Sequence, residues 1–369
     1  GSAKSVSMMI DLMELLAKDP YSTDKTEKNT LLTTGLSVLT SHHYQACEFY
    51  RNILNAIGFD IQNVASWTDI PFLPVRLFKE IDLLSVQGHE VVKTMTSSGT
   101  SGQAVSKIYL DRETSANQLK VLTKIVSSYI GAQRLPMLIL DSQSIVENRK
   151  MFSARGAGIL GFSMFAADKA YALDDDMELD CTAIDVFLEK HKGKKILLFG
   201  FTYMIWKYFY KELARRGLHY DLGSSILIHG GGWKKLERES VSSVDFKQCL
   251  REVCGINQIH DYYGLVEQVG SIYMECEQGH LHASIFSDVL TRRPFDFSPV
   301  AFGEKGIIEV VSLLPGSYPG HALLTEDVGI ILGEDDCPCG RLGKYFKILG
   351  RLENAEVRGC SDTYGTRSF

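Results

Sequence analysis

The sequence predicts an α/β fold with a helical N-terminal layer, layered α/β sheets and a smaller β-rich subdomain. Apolar residues recur at three- and four-residue steps up to about Gly58, strand-like and helical runs then alternate, and after Tyr263 the apolar runs become short and β-like. The predicted divisions are a helical region at 1–85, an α/β core at 86–262, a β-rich subdomain at 263–349 and a C-terminal tail at 350–369.

Composition narrows the class of protein. With 369 residues, 45% hydrophobic and 23% charged, the chain is long enough for a large core and predicts a globular enzyme. A net charge of -6 without a basic run argues against nucleic-acid binding. The apolar runs are too short to span a membrane, the opening residues lack a signal-peptide pattern, and eight cysteines lie scattered. These features predict a cytoplasmic protein without transmembrane segments.

The elements follow in order along the chain. Leu12, Leu15 and Leu16 begin the helical region, and two prolines in the segment 69–75 end it because proline favours extended neighbours. Strands are then predicted at 91–95, 137–140, 196–199 and 226–228, and helices at 113–130 and 203–216. The β-rich part is predicted from 307–313, 328–332 and 345–349.

A loop of small hydroxyl residues and glycines follows the first of these strands. It contains Ser97, Ser98, Gly99, Thr100, Ser101 and Gly102. Glycines let backbone amides point toward an anion, and hydroxyls add donors for phosphate oxygens. The loop lacks the Gly-Lys-Ser/Thr ending of a Walker A loop, so it is interpreted either as a phosphate-binding loop of another kind or as a plain surface loop.

Two further segments follow predicted strands. The turn at 229–233 contains Gly231 and Gly232, which could admit a flat purine against bare backbone or simply form a tight strand-to-helix turn. In the segment 261–268, an aromatic ring of Tyr262 or Tyr263 could stack on a base and Glu267 could hold Mg²⁺. The alternatives are a core tyrosine and a solvated carboxylate.

The last segments of interest are centred on Asp327 and Arg351. A carboxylate in a turn between strands can accept both hydroxyls of a ribose, and a nearby arginine can pair with a phosphate or a ribose oxygen. An ordinary hairpin turn with a surface ion pair is the alternative for each.

The order of these motifs resembles that of the adenylate-forming superfamily, and within it the acyl-protein synthetase (LuxE) family, which is related to the phenylacetate-CoA ligases. The resemblance extends from about Ile70 to Cys360. It implies an adenylate-forming (ANL-type) N-terminal domain without the mobile C-terminal domain, ATP as substrate and Mg²⁺ as cofactor. The roles that it implies are phosphate contacts from Ser98 through Gly102, adenine contacts from Gly231, Gly232 and Tyr263, and ribose contacts from Asp327 and Arg351. It also implies that Ser97, Tyr262 and Gly264 bind the nucleotide, that Thr100 is catalytic, and that Glu267 is catalytic and holds Mg²⁺.

The same resemblance implies the reaction. A carboxylic acid, expected to be a long-chain fatty acid, would be activated as acyl-AMP and transferred to the catalytic thiol of Cys360, which lies beside Arg358, for delivery to a fatty acyl reductase. Nearby positive charge favours the nucleophilic thiolate. The alternatives are an acyl- or aryl-CoA ligase and, from another class, a non-catalytic nucleotide-binding module.

A second group of residues suggests a metal site. Cys337 and Cys339 lie on one tight turn, and Cys276 with His282 could complete a tetrahedral zinc site, with His280 nearby. The spacing is not that of a standard zinc finger. The two interpretations are structural zinc and reduced, unliganded thiols.

Overall fold

The computed structural model describes residues 11–97, 104–147, 153–233 and 238–352. The α-helices within these residues are α1 (Leu12–Leu16), α2 (Lys25–Ala46), α3 (Glu48–Ile57), α4 (Leu77–Glu80), α5 (Arg112–Ile130), α6 (Ser144–Glu147), α7 (Ala154–Phe162), α8 (Cys181–Lys190), α9 (Thr202–Met204), α10 (Lys211–Arg216) and α11 (Ser243–Cys254). A π-helical stretch, Ile205–Tyr210, joins α9 to α10.

The strands are β1 (Leu73–Pro74), β2 (Val91–Thr96), β3 (Lys107–Asp111), β4 (Leu135–Ser142), β5 (Ala166–Leu173), β6 (Leu197–Phe201), β7 (Ile226–Gly230), β8 (Gln258–Tyr263), β9 (Tyr273–Glu275), β10 (Leu281–His282), β11 (Ser287–Arg292), β12 (Lys305–Ser312), β13 (Ala322–Glu334) and β14 (Lys344–Arg351). Short 3-10 turns lie at Trp67–Asp69, Gly88–Glu90, Ser163–Phe165 and Val266–Gln268.

Helix boundaries are set by local capping chemistry. Asp24 and Asp111 accept hydrogen bonds from backbone amides in the first turns of α2 and α5, and Ser153 does the same for α7. Gly255 ends α11 in the left-handed conformation, at a φ of 67°, which costs glycine little because it has no Cβ. The long helices therefore begin and end where their flanking residues satisfy the free backbone groups.

Most strands belong to one sheet. In the part of the chain that the structure describes, this sheet has the order β11-β12-β13-β14-β10-β9-β8-β7-β6-β4-β5, and β1 pairs in parallel with β13 as a twelfth strand. Strands β5, β4, β6, β7 and β8 are parallel, and the remaining neighbours from β8 to β11 are antiparallel. Strands β2 and β3 form a separate antiparallel hairpin.

The core follows from this arrangement. Strands β6 and β7 are buried along their whole length, as parallel strands covered by helices on both faces require. A second apolar cluster fills the antiparallel part, and α2 packs its buried Leu32, Leu36 and Leu39 against Trp67 and Val311 in a third. The predicted α/β fold with its helical N-terminal layer is confirmed, and the described helices include none long and apolar enough to cross a bilayer.

Candidate active site and metal centre

A large cleft opens at the carboxyl ends of the parallel strands. Phe201 ends β6, Gly230 ends β7 and Tyr263 ends β8, and adjacent parallel strands bring these ends to one edge of the sheet. The cleft has a volume of about 1960 Å³. Its walls include the following residues singled out from the sequence: Ser97, Gly231, Gly232, Tyr262, Tyr263, Gly264, Glu267, Asp327 and Arg351.

The glycine turn after β7 is required by close packing. A Cβ added to Gly230 would lie 2.4 Å from the Tyr262 ring, and one added to Gly231 would lie 2.6 Å from the Phe201 ring. Gly231 and Gly232 also have positive φ angles of 82° and 62°. Larger residues would displace the two rings, so the glycines leave bare backbone along this wall.

Aromatic rings form the floor beside this turn. The Tyr262 ring lies 5.3 Å from that of Phe162, and Phe162 stacks on Phe199 at 4.4 Å. Such offset contacts fix ring orientation as well as burying apolar area. The floor is therefore rigid and apolar, which suits a flat ring or an alkyl chain.

A tyrosine, an aspartate and an arginine meet in another part of the wall. The Tyr263 hydroxyl donates a hydrogen bond of 2.5 Å to Oδ2 of Asp327, and Nε of Arg351 lies 3.9 Å from Oδ1. Asp327 and Arg351 are direct partners in the β13–β14 pairing, which explains their contact despite their separation in sequence. Burial raises the pKa of Asp327, while Tyr263 and Arg351 act against that rise.

Glu267 is a buried carboxylate and not a solvated one. Its residue is 8% exposed, and Oε1 accepts a hydrogen bond of 2.7 Å from the Ser106 hydroxyl. Burial raises the pKa of Glu267, and the Ser106 hydrogen bond acts against that rise. The Tyr318 hydroxyl donates to the Glu267 backbone carbonyl at 2.8 Å and anchors the turn. A carboxylate held in this way has the chemistry of a Mg²⁺ ligand.

The base of the hydroxyl loop is described, and its tip is not. The Ser97 amide donates to the Ser106 carbonyl at 3.1 Å, and the Ser106 amide donates to Oγ of Ser97 at 2.8 Å. These bonds start the loop beside Glu267, because Ser106 also contacts that carboxylate. Of the residues named from the sequence, Ser98, Gly99, Thr100, Ser101, Gly102 and Cys360 lie outside the described residues.

Two polar residues of the cleft, Asp261 and Arg155, and one buried residue behind Glu267, Ser106, were not selected from the sequence. Ser106 supports Glu267 from 161 positions away. Asp261 lines the cleft, and its Oδ1 lies 3.7 Å from Nδ1 of His229. Arg155 lines the cleft from the first turn of α7. Asp261 had a signal in the sequence, because it opens the segment 261–268 after a strand-like run, and Arg155 lies in the segment 153–158, which shares in the family resemblance.

The predicted metal ligands converge at one place. One ligand atom from each of Cys276, His282, Cys337 and Cys339 lies within 4.8 Å of the others. The Cys276 and Cys337 sulfurs are 3.9 Å apart, and Sγ of Cys339 is 3.3 Å from Nε2 of His282. These separations and the mixed sulfur and nitrogen donors fit tetrahedral zinc.

The surroundings of this cluster also fit a bound metal. The Gln278 amide donates to Cys276 Sγ and the Arg341 amide donates to Cys339 Sγ, each at 3.4 Å, in the manner of outer-shell donors to metal-bound thiolates. Nδ1 of His280 lies 3.3 Å from Cys337 Sγ and borders the group. Four protein donors leave no open position, so a metal here would serve structure and not catalysis.

Comparison with known proteins adds family information. A family profile described as acyl-protein synthetase, LuxE, matches residues 4–367. The chain is 25% identical to a long-chain-fatty-acid–luciferin-component ligase of Vibrio harveyi over 87% of its length and 83% of the relative. It is 27% identical to the protein of the same name from Aliivibrio fischeri, over 86% and 84% of the two chains.

Solved structures support the fold. A 2-hydroxyisobutyryl-CoA ligase, determined in an open conformation with 2-HIB-AMP and CoA, superposes with a TM-score of 0.67 at 14% identity, covering 91% of this chain and 77% of the ligase. The same ligase in its thioesterification state gives a TM-score of 0.68 at 15% identity, with coverage of 91% and 70%. At these identities the likeness concerns the fold alone.

Proposed function

The chain belongs to the acyl-protein synthetase (LuxE) family, and from this we propose that it activates a long-chain fatty acid with ATP and passes the acyl group to a thiol. Membership makes it an enzyme of the ligase class. The observation that carries the proposal is the convergence of four motifs, distant in sequence, on one cleft: the glycine turn, Tyr263, the Asp327–Arg351 pair and Glu267.

The nucleotide is proposed to lie along these walls. Gly231 and Gly232 would lie against the adenine, Tyr263 would stack on it, and Asp327 with Arg351 would bind the ribose. The hydroxyl loop would contact the phosphates, with Thr100 at the reacting phosphate. Bound Mg²⁺ would supply positive charge against the phosphates, and Glu267 is the residue proposed to hold it.

The reaction is proposed to proceed in two steps. A carboxylate oxygen attacks the α-phosphorus, the bond to pyrophosphate breaks, and acyl-AMP forms. A thiolate then attacks the acyl carbon, the carbon–oxygen bond to AMP breaks, and a thioester remains. Donors at the hydroxyl loop would stabilise the charge that builds on the phosphate in the first step.

The proposed acceptor is the protein's own Cys360. Strand β14 ends at Arg351 on the wall of the cleft, and Cys360 follows nine residues later. Nine residues reach at most about 32 Å when extended, which keeps the thiol within range of the cleft. Covalent tethering also gives the thiol a high effective concentration there. Arg358, two residues before Cys360, would favour the thiolate.

The substrate and the partner are proposed from the family. The two bacterial relatives are named as long-chain-fatty-acid ligases, and a straight-chain fatty acid is therefore the proposed acid. A fatty acyl reductase is the proposed recipient of the acyl group. A cytoplasmic location stays a prediction from the sequence.

We also propose a structural zinc ion at Cys276, His282, Cys337 and Cys339. The support is the donor set, the 4.8 Å limit on the separations of its ligand atoms and the two amide donors that face the sulfurs. The ion would join the β9–β10 connection to the β13–β14 hairpin, because the ligands come from those two segments.

ATP–pyrophosphate exchange across a panel of straight-chain and aromatic acids tests the proposed function. Exchange driven by straight-chain acids, and not by aromatic ones, is the expected result. Exchange reports the first step alone and needs no thiol. Thioester formation on the protein without added coenzyme A would accord with an acceptor on the protein, whereas thioester formation only with added coenzyme A would favour a CoA ligase. Tight ATP binding without exchange for any acid would overturn the proposal.

A further inference from the structure

An arginine and a buried aspartate form an ion pair in the wall of the cleft, apart from the motifs assigned above. Nε of Arg155 lies 2.8 Å from Oδ2 of Asp141, and the Asp141 side chain is 0% exposed while that of Arg155 is 21% exposed. Asp141 is near the end of β4, and Arg155 is in the first turn of α7. A fully buried carboxylate without a cation would be costly, so the pair fixes the guanidinium in place.

The guanidinium keeps donors available after this contact. Nη1 of Arg155 donates to the Tyr203 hydroxyl at a long 3.4 Å. Guanidinium has five N–H donors, and the partners among the described residues, Asp141 and Tyr203, engage only part of that set. Because Arg155 lines the cleft, the remaining fork is available to a planar anion that enters it.

A short series of contacts connects this arginine to the proposed nucleotide turn. The Tyr203 ring lies 6.5 Å from the Phe201 ring, edge to face. Phe201 in turn packs so closely on Gly231 that a Cβ there would approach its ring to 2.6 Å. Arg155 is therefore on the same side of the cleft as the nucleotide turn, two side chains away.

The surroundings of Arg155 along α7 are apolar. Gly158 and Phe162 follow it by three and seven residues, which places them on the same helix face. Both line the cleft. This face of α7 offers a cation at the start of an apolar stretch, which suits a carboxylate with an alkyl chain better than it suits a triphosphate.

We propose that Arg155 binds the carboxylate of the acid substrate, with Asp141 as the residue that positions it. The inference rests on the proposed function. The guanidinium would orient both carboxylate oxygens before one attacks the α-phosphorus, while the alkyl chain lies along α7.

The test uses the full chain with both partners changed together. Asp141→Asn with Arg155→Gln removes the pair without leaving a buried charge unpaired. In ATP–pyrophosphate exchange, the KM for dodecanoic acid should rise by about tenfold or more, because hydrogen bonds between charged groups are among the stronger ones. The KM for ATP should change less than about twofold. Arg155→Lys keeps the positive charge but loses the paired N–H donors of the guanidinium. Its KM for dodecanoic acid should lie between that of the wild type and that of the double variant.

Lys207→Gln is the matched control, because Lys207 is an exposed cation that lines the cleft and whose ammonium lies 5.1 Å from the centre of the Tyr208 ring. It should leave the KM for the acid unchanged. Calorimetric binding of dodecanoic acid and dodecanol adds a readout without turnover: the wild type should prefer the acid, and the double variant should lose that preference.

The outcomes separate the two proposals. Absence of exchange in the wild type would defeat the proposed function, whereas exchange with an unaltered acid KM in the double variant would defeat only the role of Arg155. A rise confined to the KM for ATP would assign Arg155 to phosphate binding and overturn the inference in the same way. Thermal melting of each variant establishes that it is folded.

Discussion

At the residue scale, Glu267 illustrates how burial and placement give a common side chain a special environment. Its carboxylate is nearly enclosed, yet it belongs to the wall of the cleft and has a hydroxyl donor on Oε1. A buried carboxylate is unfavourable when charged unless a cation or donors compensate. In the proposed mechanism, Mg²⁺ bound with the phosphates of ATP would provide that compensation.

Glu267→Gln should abolish acyl-AMP formation, with exchange reduced by at least about 100-fold, because an amide is a poor ligand for Mg²⁺. The fold should persist, since the amide oxygen can still accept the Ser106 hydrogen bond and no buried charge is created. The measurements are ATP–pyrophosphate exchange and thermal melting. Glu304→Gln, at an exposed carboxylate outside the cleft, is the control. Unchanged exchange in Glu267→Gln would remove this residue from the mechanism.

A site residue could be identified from the sequence when the residues that it acts with lie close to it along the chain. Tyr263 and Glu267 were found from the sequence because they belong to one contiguous motif that follows a strand. Ser106 was not found because its partner Glu267 is 161 positions away, and no local pattern encodes that contact. Asp141 was missed for a related reason. In the sequence it is only a polar residue at the end of a buried strand, and its partner Arg155 is brought beside it by the packing of α7.

At the scale of elements, two hairpin regions meet at the cysteine cluster. Arg341, next to the Cys337–Cys339 turn, pairs with Glu277 at 2.7 Å and stacks over the Tyr129 ring at 4.3 Å. The Leu342 amide donates to the Tyr21 carbonyl at 3.0 Å. The cluster therefore joins the β13–β14 turn to the β9–β10 connection, to α5 and to the segment that follows α1.

We expect the purified protein to contain about one zinc ion per chain, and chelation to lower the melting temperature by roughly 5 °C or more, because metal binding stabilises the folded state. Metal analysis by mass spectrometry and melting with and without a chelator are the measurements. Cys337→Ser should lose the metal. Cys181→Ser, at a half-buried thiol outside the cluster, should retain it. A protein free of metal and unaffected by chelators would leave reduced thiols as the correct interpretation.

Elements with strong local patterns were well predicted from the sequence. The predicted helix at 113–130 matches α5 (Arg112–Ile130), because caps and apolar spacing are local properties. The order of strands was not predictable in this way. Strand β10 lies between β9 and β14, and its pairing with β14 depends on contacts across more than sixty positions. The contact between Asp327 and Arg351 in the cleft likewise depends on the register between β13 and β14, which the sequence pattern does not specify.

At the scale of the whole molecule, a buried histidine pair connects the helical layer to the antiparallel sheet. His43 of α2 stacks on His321 with ring centroids 5.0 Å apart. His43 also contacts the Ser85 hydroxyl at 2.6 Å and the Pro315 carbonyl at 2.9 Å. Burial lowers the pKa of both histidines, that of His321 to about 3. Both are therefore neutral in the folded protein at moderate acidity.

This pair should make the protein sensitive to mild acid. Histidines of the unfolded chain take up protons below about pH 6.5, whereas the folded pair does not. The contribution of the pair to the free energy of unfolding is therefore fully present above that pH, and it falls as the pH decreases toward the pKa of the folded state. Between about pH 7.5 and about pH 5.5, each histidine should remove about 1.4 kcal/mol from the free energy of unfolding.

Urea unfolding at the two pH values measures the effect. His321→Asn should reduce the pH dependence by the contribution of one histidine, whereas His89→Ala, at an exposed histidine, should leave it unchanged. An identical pH dependence in His321→Asn and in the wild type would show that the buried pair does not account for it.

The chain leaves the sheet at the end of β14, next to the wall of the cleft. Leu352 is held at the end of β14 by a hydrogen bond of 2.8 Å from its amide to the Glu326 carbonyl, so the chain leaves the sheet beside Asp327 and Arg351. The thiol of Cys360 follows Leu352 by eight residues in the sequence. If this thiol is the acceptor, acyl-AMP formation and acyl-protein formation must be separable by one substitution.

Cys360→Ala should therefore form acyl-AMP at the wild-type rate and show complete loss of the covalent acyl label. The measurement is incubation with ATP and radiolabelled dodecanoic acid, followed by denaturation and release of the label with hydroxylamine, which cleaves thioesters. Cys249→Ala, at a half-buried thiol among the described residues, should retain the label. Label that persists in Cys360→Ala would place the acceptor elsewhere, and transfer seen only with added coenzyme A would make the enzyme a ligase for a free thiol, because the tethered one would then have no part in the second step.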